Sequence, residues 1–306
     1  MAVPLLVAIR HYKRTHHPED QWSTSIYVGD SPFNLHPLPG VTHPLLSKDN
    51  IAPEQVIDVG DSFLARKDDL WYLFVEVVGA VDHHGCIGYA VSTNLTQWTW
   101  RGIVLREPFH LSYPYVFEWD HEWFMIPESR QAGDIRLYKA QAFPAKWTLV
   151  ASLIKGEYRD SSIIRHDNKW WIFTSGYQGK LYLYYADTLT GPWTAHPGNP
   201  VRQDWHTTRG GGRIIDYQGR LYRFVQDGIP GYGCQTFAME ITALTPGTFS
   251  ERMVGTNAIL KASGTGWNAI GMHTIDPHQI SGTNWVAAVD GLRVYVPSDS
   301  REVHQP

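Results

Sequence analysis

Four stretches of this chain repeat one pattern: an apolar-rich run, a polar turn, then a second run dense in aromatic residues. They span 61–74, 113–126, 160–173 and 211–224. Each reads as an antiparallel hairpin, because the Asp, Asn and Gly residues between the runs tolerate the dihedrals of tight turns. The second runs carry an anchor at Trp71, Trp123, Trp170 and Leu221, spaced 52, 47 and 51 residues apart, and a fifth anchor, Trp285, follows 64 residues later. Further alternating segments such as Ile87–Val91 and Leu181–Tyr185 follow the hairpins. Units of about 50 residues with four antiparallel strands are the signature of propeller blades. The pattern predicts an all-β fold, a five-bladed β-propeller forming a single domain over 1–306. The fifth unit runs out of chain after Trp285, whereas an unpaired strand-like segment, Trp22–Val28, stands near the opposite end. Residues 13–30 are therefore expected to complete blade five and close the ring, which removes a long exposed sheet edge.

Composition excludes several functions. The 306 residues are 43% hydrophobic and 18% charged, which supports a substantial core. A net charge of -4 argues against a grip on phosphate backbones, so no nucleic-acid partner is expected. Cys86 and Cys234 lie far apart and outside any zinc-binding spacing, implying neither a disulfide framework nor a structural metal. The apolar opening Met1–Ile9 is too short to span a membrane and lacks a preceding basic region. No signal peptide and no membrane span are expected, and a cytoplasmic location follows.

Register separates turn formers from candidate site residues. Asp68, Asp120 and Asp167 fall in the hairpin turns and read as structural. Ten residues before the anchors stand Asp61, Tyr113, Asp160 and Gly211; five after them stand Glu76, Glu128, Ser175, Gln226 and Asp290. Antiparallel pairing brings the start of one strand and the end of the next to the same face, so both sets converge on one mouth of the ring. A carboxylate ending an otherwise apolar strand is costly to bury without a partner, which makes the recurrence informative. Arg209, Arg213 and His273 join the same mouth by position, as do Asp58, His110, Ser112 and Arg159. Tyr113, Tyr115 and Trp119 offer faces on which a sugar could stack. The run Arg209-Gly-Gly-Gly-Arg213 lacks the spacing of a P-loop or a dinucleotide fold. No nucleophile elbow is present, and the histidines show no local zinc-binding pattern, so neither metal nor cofactor is expected.

Gly60-Asp61-Ser-Phe-Leu64 before Trp-Tyr-Leu-Phe, and Asp160-Ser-Ser-Ile-Ile164 before Trp-Trp-Ile-Phe, resemble inner-strand motifs of the five-bladed furanosidase superfamily, which includes glycoside hydrolase family 43 and invertase-like enzymes. A closer resemblance, from about Trp22 to Gly291, is to the N-terminal domain of plant glucosamine inositolphosphorylceramide transferases and its bacterial stand-alone relatives. It rests on Glu107–Phe117, Met125-Ile-Pro-Glu-Ser129, Gly191-Pro-Trp193, Gly271–Pro277 and Ala288-Val-Asp-Gly291. The wider superfamily implies a base or nucleophile Asp on blade one, a tuning Asp on blade three and a general-acid Glu on blade four. Asp61 and Asp160 match the first two. Blade four carries glycines where that Glu would stand.

The expected function is glycan-active. The leading reading is a glycoside hydrolase or transglycosylase with Asp61 as base, Glu128 as acid and Asp160 tuning their charge. Glu76, Tyr113, Arg209, Arg213, Gln226, His273 and Asp290 are the candidate substrate contacts. The ligand class is a carbohydrate or glycoconjugate. Two alternatives stand beside it: a non-catalytic module that binds a sugar or glycolipid headgroup, and an enzyme acting on a small non-glycan metabolite at the same mouth.

Overall fold

The computed structural model describes residues 21–293, arranged as five antiparallel sheets around an axis. Blade one comprises Val56–Lys67, Leu70–Gly79, Gly85–Ser92 and Thr99–Leu105; blade two comprises Ser112–Trp119, Glu122–Glu128, Asp134–Ala142 and Lys146–Lys155. Blade three is built on Arg159–His166, Lys169–Gly176 and Lys180–Ala186, with short outer pairings at Thr194–Ala195 and Arg202–Gln203. Blade four has a broken first strand, Arg209–Gly210 and Ile215–Tyr217, against Arg220–Asp227, followed by Gln235–Thr245 and Thr248–Met253. The five-bladed propeller expected from the repeat is the fold observed.

Blade five is made from both ends of the described chain. Gln21–Ser31 pairs antiparallel with Asn284–Arg293, from Gln21 opposite Arg293 to Gly29 opposite Trp285. Asn34–Pro37 adds the outer edge and Ile275–Ser281 the inner strand. Residues 13–20 of the expected closing segment lie outside the described residues. The hairpin turns behave as their residue types dictate: Asp120 and His121, Asp167 and Asn168, and Gln218 and Gly219 are left-handed pairs with φ between 48° and 75°.

Each seam between neighbouring blades holds its own apolar core. Ile26, Val286 and Ala288 of blade five pack on Leu64, Leu73 and Val75 of blade one; Tyr115 and Ile126 of blade two meet Ile163 and Ile172 of blade three. The anchors read from the repeat fill these seams. Trp71, Trp123, Trp170, Leu221 and Trp285 each sit in a different cluster and are all buried. The period of the sequence is thus the period of the seams.

Removing residues 1–31 deletes a strand whose Ile26 is fully buried and whose Tyr27 is nearly so. Each such side chain contributes about 1.5–3 kcal/mol, and the freed edge of Asn284–Arg293 has no other partner among the described residues. Calorimetry of the truncated chain should show a midpoint lower by at least about 10 °C.

Candidate active site at the axial mouth

At the start of the first strand in three blades the pairing slips. Gly60 opposes Glu76 but Phe63 opposes Phe74; Ser112 opposes Glu128 but Tyr115 opposes Ile126; Arg159 opposes Ser175 but Ser162 opposes Phe173. Each slip is a bulge containing a left-handed residue: Asp61 at φ 48°, Tyr113 at 47° and Asp160 at 48°. A bulge re-aims a side chain, and here it turns three equivalent positions into the ring.

Asp61 is held from blades two and five. Its Oδ2 accepts from the Tyr113 backbone N–H at 3.2 Å and its Oδ1 from the Thr274 hydroxyl at 2.9 Å. His273 lies between Asp61 and Asp290: its Nε2 is 3.5 Å from Asp61 Oδ1 and its Nδ1 is 2.7 Å from Asp290 Oδ2. The Asp290 carboxylate also accepts from the backbone N–H groups of Asp61, His273 and Thr274. The imidazole stacks on Trp22, centroids 4.0 Å apart, and meets the edge of Tyr232 at 5.3 Å. Burial works to lower the His273 pKa, but Asp290 and Asp61 outweigh it and hold the ring protonated, with a pKa near 9. Burial pushes Asp61 up to about 7, opposed by His273 and aided by Glu76 and Asp160.

Across the mouth, Asp160 Oδ2 accepts from Arg209 Nε and, at 3.1 Å, from Gln226 Nε2. Tyr232 covers the Arg209 guanidinium 4.9 Å from its ring centre. Glu128 hydrogen-bonds Asp160, and burial with the Asp160 charge pushes its pKa up to about 8 against the pull of Arg209. Glu128 therefore carries a proton at neutral pH. Glu76 pairs with His110 Nε2 at 3.0 Å, while His110 Nδ1 accepts from the Gly85 N–H and so fixes the tautomer.

Eight of the ten sequence-predicted residues meet in this network: Asp61, Glu76, Glu128, Asp160, Arg209, Gln226, His273 and Asp290. Two do not present their polar groups there. The Tyr113 hydroxyl is fully buried and spent on Gly212, donating to its carbonyl at 2.8 Å and accepting from its N–H at 2.7 Å. Arg213 lies deeper along the axis, with Nε 2.6 Å from Asp276 Oδ1 and Nη2 2.8 Å from the Val116 carbonyl. Both are pieces of the frame. The Tyr115 hydroxyl is likewise spent, on the Ile163 carbonyl, and Trp119 stands beside the blade-two hairpin turn, away from the mouth. The aromatic walls are instead Trp22 and Tyr232. Trp22 had a usable signal, since a strand antiparallel to one ending at the mouth must begin there; Tyr232 sits in a Gly- and Pro-rich loop that carries no register.

The blade-four glycines are explained by contact. A Cβ on Gly210 would lie 2.4 Å from the Asp160 carbonyl oxygen, one on Gly211 2.7 Å from the Gln226 nitrogen, and one on Gly212 1.7 Å from the Ile275 carbonyl oxygen. Backbone replaces side chain where blades three, four and five meet.

Asp61, His273 and Asp290 also bring three metal-ligating atoms within 4.8 Å of one another. Asp290 already accepts three backbone hydrogen bonds besides its contact with His273 Nδ1, so most of its lone pairs are committed within the protein.

Fold and site together define the class: a five-bladed propeller with a ring of acids at one mouth. A family model described as glucosamine inositolphosphorylceramide transferase 1, N-terminal, matches residues 15–292, and the chain belongs to that family. It is 33% identical over 303 residues to glucosamine inositolphosphorylceramide transferase 1 of rice, Oryza sativa subsp. japonica, covering 90% of this chain and 40% of the relative. The Arabidopsis thaliana protein of the same name is 32% identical, with 90% and 39% covered. This chain thus spans about two fifths of these relatives. Among solved structures, an α-L-arabinanase of Cellvibrio cellulosa complexed with arabinohexaose superposes with a TM-score of 0.54 at 15% identity, over 76% of this chain and 90% of that one. A family 117 glycoside hydrolase of Zobellia galactanivorans gives 0.53 at 14%, over 88% and 90%. These likenesses establish the fold.

Two outcomes test the site's physics. Tyr113→Phe strands the Gly212 N–H in the interior and should cost about 1–3 kcal/mol in denaturant unfolding. Asp61, Glu128 and His273 all hold protons more tightly than their ordinary values of 3.8, 4.5 and 6.5. Their protonation stabilises fully below those values and is lost as pH rises through about 7, 8 and 9. Melting temperature should fall from pH 5 to pH 9, and Glu128→Gln, which mimics the protonated acid, should flatten that fall.

Proposed function

We propose that the mouth processes a glycan, transferring a glycosyl group to water or to another hydroxyl. The observation that carries this reading is the convergence of three buried carboxyl groups, Asp61, Glu128 and Asp160, on one mouth, where burial makes Asp61 and Glu128 hold their protons more tightly than free carboxyls do. Cleaving a glycosidic bond needs one carboxyl to give a proton to the departing oxygen and another to take one from the attacking hydroxyl or to attack the sugar itself. Glu128 is the donor and Asp61 the acceptor or nucleophile. Asp160 sits against Glu128 and is fixed by Arg209 and Gln226, so its charge holds the proton on Glu128. His273, charged and pinned by Asp290, offsets the burial that would otherwise neutralise Asp61.

The names of the transferase relatives and of the sugar-complexed neighbour support a carbohydrate or glycoconjugate ligand. The glycines at the blade-four position favour the second reading, a module that binds sugars without cleaving them. A panel of aryl glycosides and glycolipid headgroups separates the two. For an enzyme, kcat/KM should be bell-shaped, failing below about pH 7 as Asp61 protonates and above about pH 8 as Glu128 loses its proton. Asp61→Asn should lower turnover at least about a thousandfold with binding retained, and Glu128→Gln should spare substrates whose leaving group needs no proton. Binding without turnover by the wild type, or turnover undiminished in Asp61→Asn, refutes the catalytic assignment.

A further inference from the structure

The turn after the second strand of blade three and the segment leading into blade four place two exposed aromatic side chains on the mouth face, Tyr177 at 75% and Trp205 at 56% exposure. Such rings are ordinarily hidden, and the main chain beneath them is rigidly held. The Asp204 N–H donates to the Gly179 carbonyl at 2.9 Å, and the Gly228 N–H donates to the Trp205 carbonyl at 3.1 Å, so the segment is tied to both blades. The Asp204 carboxylate accepts from the N–H groups of His206 and Thr207 and from Arg202 Nε at 2.8, 2.6 and 2.6 Å. A Cβ on Gly179 would lie 3.3 Å from Trp205 Cδ2 and 2.4 Å from the Asp204 carbonyl oxygen, so the turn carrying Tyr177 passes directly against the tryptophan.

A polar group stands beside these rings. His206 is half exposed, and its Nδ1 lies 3.0 Å from Oδ1 of Asp227, whose side chain is 2% exposed. Asp227 also accepts from the Ile229 N–H and Gln235 Nε2, and so is fixed in place. It orients the imidazole with Nε2 turned away, while Arg209, three residues beyond His206, reaches Asp160 in the reacting centre.

The geometry points to a second sugar-binding subsite formed by Tyr177, Trp205 and His206, contiguous with the mouth, which takes a further unit of an oligosaccharide. Flat rings match the C–H faces of a pyranose or furanose, and an oriented imidazole hydrogen-bonds a ring hydroxyl. Held rigid before binding, these groups lose little freedom on contact. The inference rests on the glycan reading of the mouth and makes it specific: the ligand is a chain, and a free monosaccharide leaves these rings unused.

The test is calorimetric titration of the full chain with arabino-, xylo-, galacto-, gluco- and manno-oligosaccharides of two to six units and with their monosaccharides. Trp205→Ala should weaken the bound oligosaccharide about tenfold, Tyr177→Ala and His206→Ala less, with monosaccharide affinity within about twofold. Equal loss for monosaccharide and oligosaccharide, no loss for either, or no oligosaccharide bound by the wild type overturns the subsite. So does Trp205-dependent sedimentation with phosphatidylcholine–phosphatidylserine vesicles when Trp205→Ala leaves glycan affinity intact, since the rings would then be a lipid contact. Turnover separates the two readings. Trp205-dependent binding without any wild-type turnover sinks the catalytic assignment alone; normal kcat/KM of Trp205→Ala on chains of every length sinks the subsite alone.

Discussion

Everything at the mouth depends on a left-handed residue at the start of three first strands. A regular strand alternates its side chains between the two seams flanking a blade and offers none to the axis. The bulge breaks that alternation at Asp61, Tyr113 and Asp160. Left-handed backbone costs an L-residue about 1–2 kcal/mol, so each bulge persists only because its side chain is held. Asp61 is held by Thr274 and the Tyr113 N–H, Asp160 by Arg209 and Gln226, Tyr113 by Gly212 and Ser162. Every holder comes from a different blade than the residue it holds. The acids therefore stitch the ring together while they form its site.

Gathering acids at one point forces their proton affinities apart. Asp290 remains ionised because three backbone donors and the imidazolium converge on it, and its pKa falls despite burial. Arg209 is committed to Asp160 and only partly offsets the burial of Glu128, which therefore holds its proton more tightly than a free carboxyl. Asp61 lies between these extremes, shielded by an imidazolium it does not fully contact. The spread of proton affinities from Asp290 to Glu128 thus follows from which carboxyl is in contact with a cation.

Periodicity made the fold and half of the site legible. The anchors Trp71, Trp123, Trp170, Leu221 and Trp285 mark the seams because a ring of identical contacts demands an identical residue class at each. The offsets that found Asp61, Glu76, Glu128, Asp160, Gln226 and Asp290 carry the same information, since strand ends repeat with the blades. Period says nothing about depth, which is why Arg213 was expected at the mouth although Asp276 and the Val116 carbonyl draw it inward. Nor does it say where a hydroxyl ends: Tyr113 shares the offset of two acids, but its ring reaches across the axis to Gly212. Tyr232, Trp205 and Tyr177 lie in loops of unequal length, where no repeat operates.

The glycines of blade four decide which side chains can enter the mouth from that side. A side chain at Gly210, Gly211 or Gly212 collides with backbone of blades three, four or five, so no acid fits there without opening the ring. Closing that position let the Tyr113 hydroxyl bridge to the Gly212 backbone and let Arg209 lie along Asp160. Arg209 keeps a positive charge beside Asp160, and Glu128 approaches the same carboxylate from blade two. On the proposed glycan reading, a bond presented to Glu128 and Asp61 would lie across blades one and two, with the remainder of the ligand extending toward blades three and four, where Arg209 and Trp205 stand.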